Sequence, residues 1–364
     1  MRAKKLFQQL ITPIINSRRT KEIFNYNPAA LQQRTDAANS HFYVYNYNAS
    51  SEAHCELVSF TDTIQFAKNG KVSWINMDGL SKSNVEGISG LFHIHPLLTE
   101  DILSIGQRPK FDEIEGVLFC LLNMLYWNED KCAVEQEQIS IVLGNNFVIT
   151  FQEDADRDVF DMVRDKLQQN NSKLRQRGAD YLCYSLIDII VDHYFVVIEK
   201  LGDKIEGLEG EIIHSANKVT LAKLNNFKKE LIVLKRNVSP VRDLLNALIK
   251  SETELMDDQI NKYLKDVHDH ILQANDIVEN YRDIMSGMQD LYISQVNLKM
   301  NEAMKVMAIV TCLLAPATVI GGIFGMNFSV IPITHHRWGF YITVGAMMII
   351  GLIMLRIFKK RDWF

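Results

Sequence analysis

A chain of 364 residues with 23% charged side chains has room for a large soluble body, and its net charge of −5 argues against a general nucleic-acid binder. Five cysteines (Cys55, Cys120, Cys132, Cys183, Cys312) are odd in number, widely spaced and without a Cys-x-x-Cys pair. They read as reduced thiols, which puts the soluble part in a reducing compartment and excludes a disulfide scaffold.

In chain order, residues 1–35 are an N-terminal segment whose first part, Met1 to Lys21, mixes basic residues with Leu, Ile and Phe. No apolar core of signal-peptide length interrupts it, so it reads as a mobile or amphipathic arm, with a transit peptide as the alternative. Residues 36–165 read as a mixed α/β domain. Phe42 to Tyr47 is rich in strand formers, and Val72 to Met77 alternates before the turn Asp78-Gly79. Val117 to Trp127 reads as a buried strand, and Ile139–Leu143 and Phe147–Phe151 flank a hairpin turn at Gly144-Asn145-Asn146. Pro96 to Ile105 is expected as a short helix, with Glu100 and Asp101 suited to its first turn. His93 and His95 would share a strand face, but two histidines without a third ligand are more often structural.

Residues 166–250 carry two long helical patterns, Asp180–Ile213 and Leu221–Ile249, which make a helical hairpin with Pro240 marking a bend or break. Asp203, Glu206, Glu209 and Glu211 near its tip read first as a solvated acidic face. Residues 251–305 are expected as a stalk helix that continues into the first crossing, the whole span Met256–Met326 lacking strong breakers. Val306 to Thr334 carries no formal charge, and 306–327 is long enough to cross a bilayer. An outer loop at 328–337, a second crossing at 338–358 and a basic tail at 359–364 follow. Lys299, Lys305, Arg356, Lys359, Lys360 and Arg361 bracket the two crossings against Arg337 alone in the loop, so both termini are expected on the cytoplasmic side.

The first crossing has a face. Asn301, Met304, Ala308, Thr311, Ala315, Thr318 and Gly322 recur at spacings of three and four, while the bulky aliphatics point elsewhere. Two readings compete. Small and hydroxylated residues let membrane helices pack closely, or several copies turn the stripe inward around an ion path.

The segment Ile323-Phe324-Gly325-Met326-Asn327-Phe328, closing a first crossing with a second just behind, resembles the signature of the CorA family of magnesium channels. Asn301 to Met307, Asp266 to His270, Tyr281 to Ile284, Asp290 to Tyr292, Gln107 to Lys110 and the closing Phe358 to Phe364 also resemble that family, so the likeness covers nearly everything beyond Phe42. It implies an α+β membrane protein assembled as a homopentamer in a lipid bilayer, a cell-membrane channel admitting Mg²⁺ passively. Gly325, Met326 and Asn327 would form the selective entrance, with Asn301, Met304, Met307, Thr311, Thr318 and Gly322 lining the pore and Asp290 ringing its inner mouth. Asp101 and Asp266 match acids that hold a regulatory Mg²⁺ between neighbouring subunits, with Glu100 and Asp188 at an adjacent position.

Neutral oxygens suit this cargo, because Mg²⁺ sheds water reluctantly and a carboxylate ring would hold the bare ion too firmly. Two charges falling through 100 mV gain about 4.6 kcal/mol, so downhill entry needs no ATP. No Walker-type glycine loop or nucleophile–base pair is present, and neither nucleotide nor enzyme activity is expected. His335 and His336 stand in the outer loop where many relatives carry acids, which leaves Zn²⁺ or Co²⁺ transport as an alternative. Ala315 occupies a pore position where a bulkier residue is usual in the family. A third reading, from another class, is a metal-sensing scaffold with an inert membrane anchor.

Overall fold

The structure is a computed structural model that describes residues 36–37, 40–57, 59–67, 70–154, 157–326, 331, 333 and 336–361. The N-terminal segment 1–35, Asn327, His335 and the last three residues of the basic tail lie outside this set. The chain divides into two compact units, Met1–Gly210 with Val219–Met288, and Glu211–Lys218 with Gln289–Phe364.

The first unit is built on a seven-stranded sheet: β1 (His41–Tyr47), β2 (Glu52–Leu57), β3 (Val72–Asp78), β4 (Lys110–Ile114), β5 (Val117–Asn128), β6 (Ala133–Leu143) and β7 (Phe147–Gln152). Its spatial order is β2-β1-β3-β7-β6-β5-β4, antiparallel everywhere except the central β3–β7 pair. Alternation along the strands decides the two faces. Phe42, Val44, Ile75, Met77, Phe119, Val142, Ile149 and Phe151 point to one side, where α1 (Lys82–Leu91) and α2 (Pro96–Leu103) cover them. Trp74, Asn76 and Asp78 point to the other, beside α3 (Asp161–Gln168). The first nine residues of β5 are all buried, as expected of a strand covered on both faces.

Gly79, at φ 79°, takes the left-handed conformation that lets the chain turn directly after Asp78. His93 and His95 are not on a strand. They lie between α1 and α2, where His93 adopts φ 55° and His95 Nδ1 accepts from the Leu97 N–H at 3.2 Å as the cap of α2. Glu100 and Asp101 fall in the second turn of that helix rather than its first, because Pro96 already supplies the first helical residue.

The hairpin consists of α4 (Ala179–His214) and α5 (Lys218–Lys250). Buried amides fix it to the sheet: Tyr194 donates to the Asn123 carbonyl at 2.7 Å, and Asn123 Nδ2 donates to Asn237 Oδ1 at 2.8 Å. Asn237 Nδ2 in turn donates to Gln136 Oε1 at 2.8 Å, a satisfied chain that specifies one docking register. Pro240 does not break α5. Next to it, Ser239 Oγ and Asn275 Oδ1 lie 2.6 Å apart, holding α5 to the following helix.

That helix, α6, runs Ile260–Phe324 as one element of 65 residues and passes through Pro316. It starts later than the sequence pattern predicts. The Asp257 side chain accepts from the Gln259 N–H at 2.9 Å and its carbonyl from the Ile260 N–H at 2.8 Å, so the chain turns there before the helix begins. Gly202 of α4 lies directly beneath Tyr281 of α6, where a Cβ would come within 2.1 Å of the phenol oxygen.

In the second unit, the last part of α6 is followed by α7 (Gly339–Lys360). Among the described residues, three helices are long and apolar enough to cross a membrane. The apolar window of α4 is 56% buried within the fold, against 6% for α6 and 0% for α7, so α4 is a core helix and the other two are the crossings.

Candidate functional site

Two groups of residues stand out, one in each unit. The first is on α6. Ile309 is 5% exposed, and Leu313, Pro316, Ala317, Ile320 and Phe324 are partly covered, all on one side of the helix at helical spacing. A matching set on α7, Thr343, Met347, Ile350, Met354 and Phe358, is partly covered too. Two such stripes are the signature of two helices packed side by side.

Asn301, Met304, Ala308, Thr311, Ala315, Thr318 and Gly322 are all exposed in the single chain. At 100° per residue, their stripe lies about 180° around α6 from the covered seam. The helix partner within the chain therefore leaves the small and polar face open. Met304 is 53% and Met307 71% exposed. Asp290 is exposed and starts the same line one stretch earlier, continued by Ser294 and Asn297.

The two threonines are oriented by their own helix. Thr311 Oγ1 donates to the Met307 carbonyl at 2.8 Å and Thr318 Oγ1 to the Leu314 carbonyl at 3.0 Å. With the hydrogen held by the backbone, each oxygen presents lone pairs outward as an acceptor. At the end of α6 the turn tightens: the Gly325 N–H reaches both the Gly321 and Gly322 carbonyls, at 3.0 and 3.2 Å, and the Met326 N–H reaches Ile323 at 3.2 Å. A helix C-terminus carries partial negative charge, so this end favours a cation. Asn327, the remaining signature residue, lies outside the described residues, as does His335. His336 Nδ1 accepts from the Trp338 N–H at 3.3 Å, a structural use of that ring.

The second group lies in the first unit. Asp188 and Asp192 of α4 and His270 of α6 bring ligand atoms within 4.8 Å of one another. His270 Nδ1 and Asp192 Oδ1 are 3.2 Å apart, and Tyr184 donates to Asp188 Oδ2 at 3.2 Å. Burial, and secondly the neighbouring Asp192 carboxylate, pushes the Asp188 carboxyl above its ordinary range. Two carboxylates and an imidazole with excess negative charge fit a divalent cation.

Of the four acids read from the sequence, only Asp188 falls in this cluster. Asp266 is exposed one turn before His270 and acts electrostatically on the same Tyr184. Asp101 is elsewhere on the domain, ion-paired to Lys110 Nζ at 2.5 Å and accepting from Gln107 Nε2 at 2.7 Å, with Glu100 exposed beside it. Asp192 and His270 were not singled out as ligands from the sequence. Their signal was present: Asp188/Asp192 and Asp266/His270 are both spaced by four, one face of a helix each.

Residues 69–360 match the CorA-like Mg²⁺ transporter protein family. The chain belongs to the CorA family. A curated relative, the cobalt/magnesium transport protein CorA of Thermotoga maritima, is 37% identical over 321 residues, covering 88% of this chain and 91% of the relative. Another, CorA of Methanocaldococcus jannaschii, is 25% identical over 257 residues, 71% of this chain and 80% of that protein. Among solved structures, the complete CorA magnesium transporter of M. jannaschii superposes with a TM-score of 0.73, covering 89% of this chain and 98% of that one at 23% identity. The fold is thus that of a whole CorA chain, and the family is one of membrane metal-ion transporters rather than enzymes.

Proposed function

We propose that the chain is a subunit of a divalent-cation channel that admits Mg²⁺ passively, as a ring of copies whose α6 stripes face a common axis. The observation that carries this reading is the position of the stripe, uncharged and opposite the seam with α7. A face left open by the intrachain partner is free to meet other copies around a symmetry axis. The resemblance implies five copies.

In such a ring the residues act on the water shell of the ion rather than on the bare ion. Asn327 carbonyls and the free carbonyls ending α6 accept hydrogen bonds from the ion's waters at the entrance. Outward lone pairs of Thr311 and Thr318 form further acceptor rings. Met304 and Met307 are flexible apolar side chains suited to a constriction that closes by dewetting, and Asp290 to concentrating cations at the inner mouth. With the loop outside and both termini cytoplasmic, the membrane potential drives entry. Co²⁺ transport on the same path accords with two relatives being named cobalt/magnesium transport proteins.

Regulation falls to the carboxylates of the first unit. Asp188, Asp192 and His270 hold one divalent ion, with Asp266 close by. Asp101, facing a neighbouring subunit, would exchange its Lys110 partner for a shared ion with Asp266. Loss of the ions leaves like charges opposed and loosens the ring.

The test is cation uptake into liposomes holding the purified protein, with Mg²⁺ and Co²⁺ compared and Asn327→Ala and Thr318→Val beside the native chain. Uptake that collapses with Asn327→Ala supports the pore. Uptake indifferent to both substitutions overturns it.

A further inference from the structure

The face of the sheet away from α1 and α2 holds a cavity of ≈ 310 Å³ that the transport reading does not use. That is the lower end of the range for small-molecule sites. Strand register builds it: Tyr43 of β1 pairs with Asn76 of β3, Tyr45 with Trp74, and His54 of β2 lies across from Tyr45. The Tyr45 and His54 rings stack at 4.4 Å with 12° between planes, and Tyr43 continues the wall.

The floor is polar and acidic. Asp78, Asp158 and Asp161 line the cavity with one cation, Arg164. That guanidinium is already engaged: it pairs with Asp158 and, at 2.9 Å, with Asp161, and it lies 5.6 Å over the Trp74 ring. Asp78 is only 4% exposed. Its Oδ1 accepts from Asn76 Nδ2 at 2.8 Å and Gln152 Nε2 at 3.0 Å. Among the described residues Oδ2 accepts nothing, and Asp78 forms no ion pair. Asp78 as a whole is almost buried, yet its second oxygen, unpartnered among the described residues, opens on an aromatic-sided cavity, an arrangement that favours something cationic there.

Three ligand classes can be separated. An anion would face an excess of carboxylates. A metal ion needs several donors on one point, and among the described residues three His, Cys, Asp or Glu ligand atoms converge at Asp188, Asp192 and His270, not here. A cation with an organic body uses both features, the carboxylate for its charge and the rings for cation–π and apolar contact. Arg164, held between carboxylates over Trp74, is an intramolecular example of the same chemistry. We propose that this cavity binds a small organic cation, an ammonium or guanidinium seated on Asp78 Oδ2 with its body along Tyr43, Tyr45 and His54.

The test is isothermal titration of the full chain in detergent, in amine-free buffer, with agmatine, which carries both cationic groups. Butane-1,4-diol is the uncharged control and MgCl₂ the metal control. Saturable agmatine binding is expected, absent for the diol. Asp78→Asn should weaken it at least about tenfold and Tyr43→Ala several-fold, with Asp188→Asn without effect. No agmatine binding, or equal affinity in Tyr43→Ala and the native chain, overturns the proposal, and the Tyr43 variant decides if Asp78→Asn does not fold. Displacement of agmatine by MgCl₂ that disappears in Asp188→Asn also overturns it, since the amine would then sit at the carboxylate–imidazole cluster.

Discussion

Asp78 offers a stability test whose size follows from its surroundings. Burial, then the nearby Asp158 carboxylate, raises its carboxyl from 3.8 to about 6, against smaller lowering effects from Asn76, Arg164 and His41. The folded state therefore prefers the neutral acid. Its contribution to stability is complete below the unfolded-state value and is lost as the pH rises through about 6. A shift of about two units corresponds to about 3 kcal/mol at neutral pH and above. Asp78→Asn keeps the acceptor that Asn76 and Gln152 use and mimics the protonated acid, so it removes the cost of ionisation. The variant should be the more stable, and its advantage should shrink by about 2 kcal/mol between about pH 7.5 and about pH 4.5. Urea unfolding of the full chain in detergent, followed by tryptophan fluorescence in amine-free buffer, measures the difference at both pH values. An advantage independent of pH would refute the reasoning, because ionisation would then not be its source.

Other substitutions probe the remaining features. Gly202→Ala places a methyl group against the Tyr281 hydroxyl and should cost about 1–3 kcal/mol, with part recovered in the double variant with Tyr281→Phe; denaturation of the two variants measures it. Thr318→Val keeps the shape but deletes the outward acceptor, and should lower Mg²⁺ flux into liposomes several-fold while leaving assembly on size-exclusion chromatography unchanged. Asp188→Ala and His270→Ala should each reduce the protection that Mg²⁺ or Co²⁺ gives against limited proteolysis, by roughly tenfold in metal concentration. Equal protection in both would remove the cluster from regulation.

Much of this architecture was legible in the chain. The strand candidates around Val72–Met77, Val117–Trp127 and the Gly144 hairpin were found because alternation and turn residues mark them locally. The two crossings are equally plain, since no charge interrupts Val306–Met326 or Trp338–Leu355. What escaped was non-local. Periodicity cannot tell that β3 takes β7 as a parallel neighbour, and so cannot align Asn76 with Thr150 or Asp78 with Gln152. The metal-competent cluster was half visible for the same reason: spacing of four puts Asp188 beside Asp192 and Asp266 beside His270, but only helix packing brings α4 and α6 together. The start of α6 was misjudged because Asp257 can turn the chain through its side chain, a local competition that hydropathy does not register. His93 and His95 looked like a strand pair, although Pro96 marks a helix entry immediately after them.

The parallel pairing at the centre of the sheet also bears on biogenesis. Strand β3 finds β1 early, but its other edge stays open until the chain has been made as far as Gln152, because Ser73 pairs with Phe147 and Asp78 with Gln152. Such a distant closure is slow and leaves an adhesive strand edge exposed on a nascent chain. The runs that stay exposed for a membrane begin only at Val306, whereas the earlier apolar helix α4 is covered within the fold, so completing the sheet before Val306 is made also removes α4 as a rival for insertion.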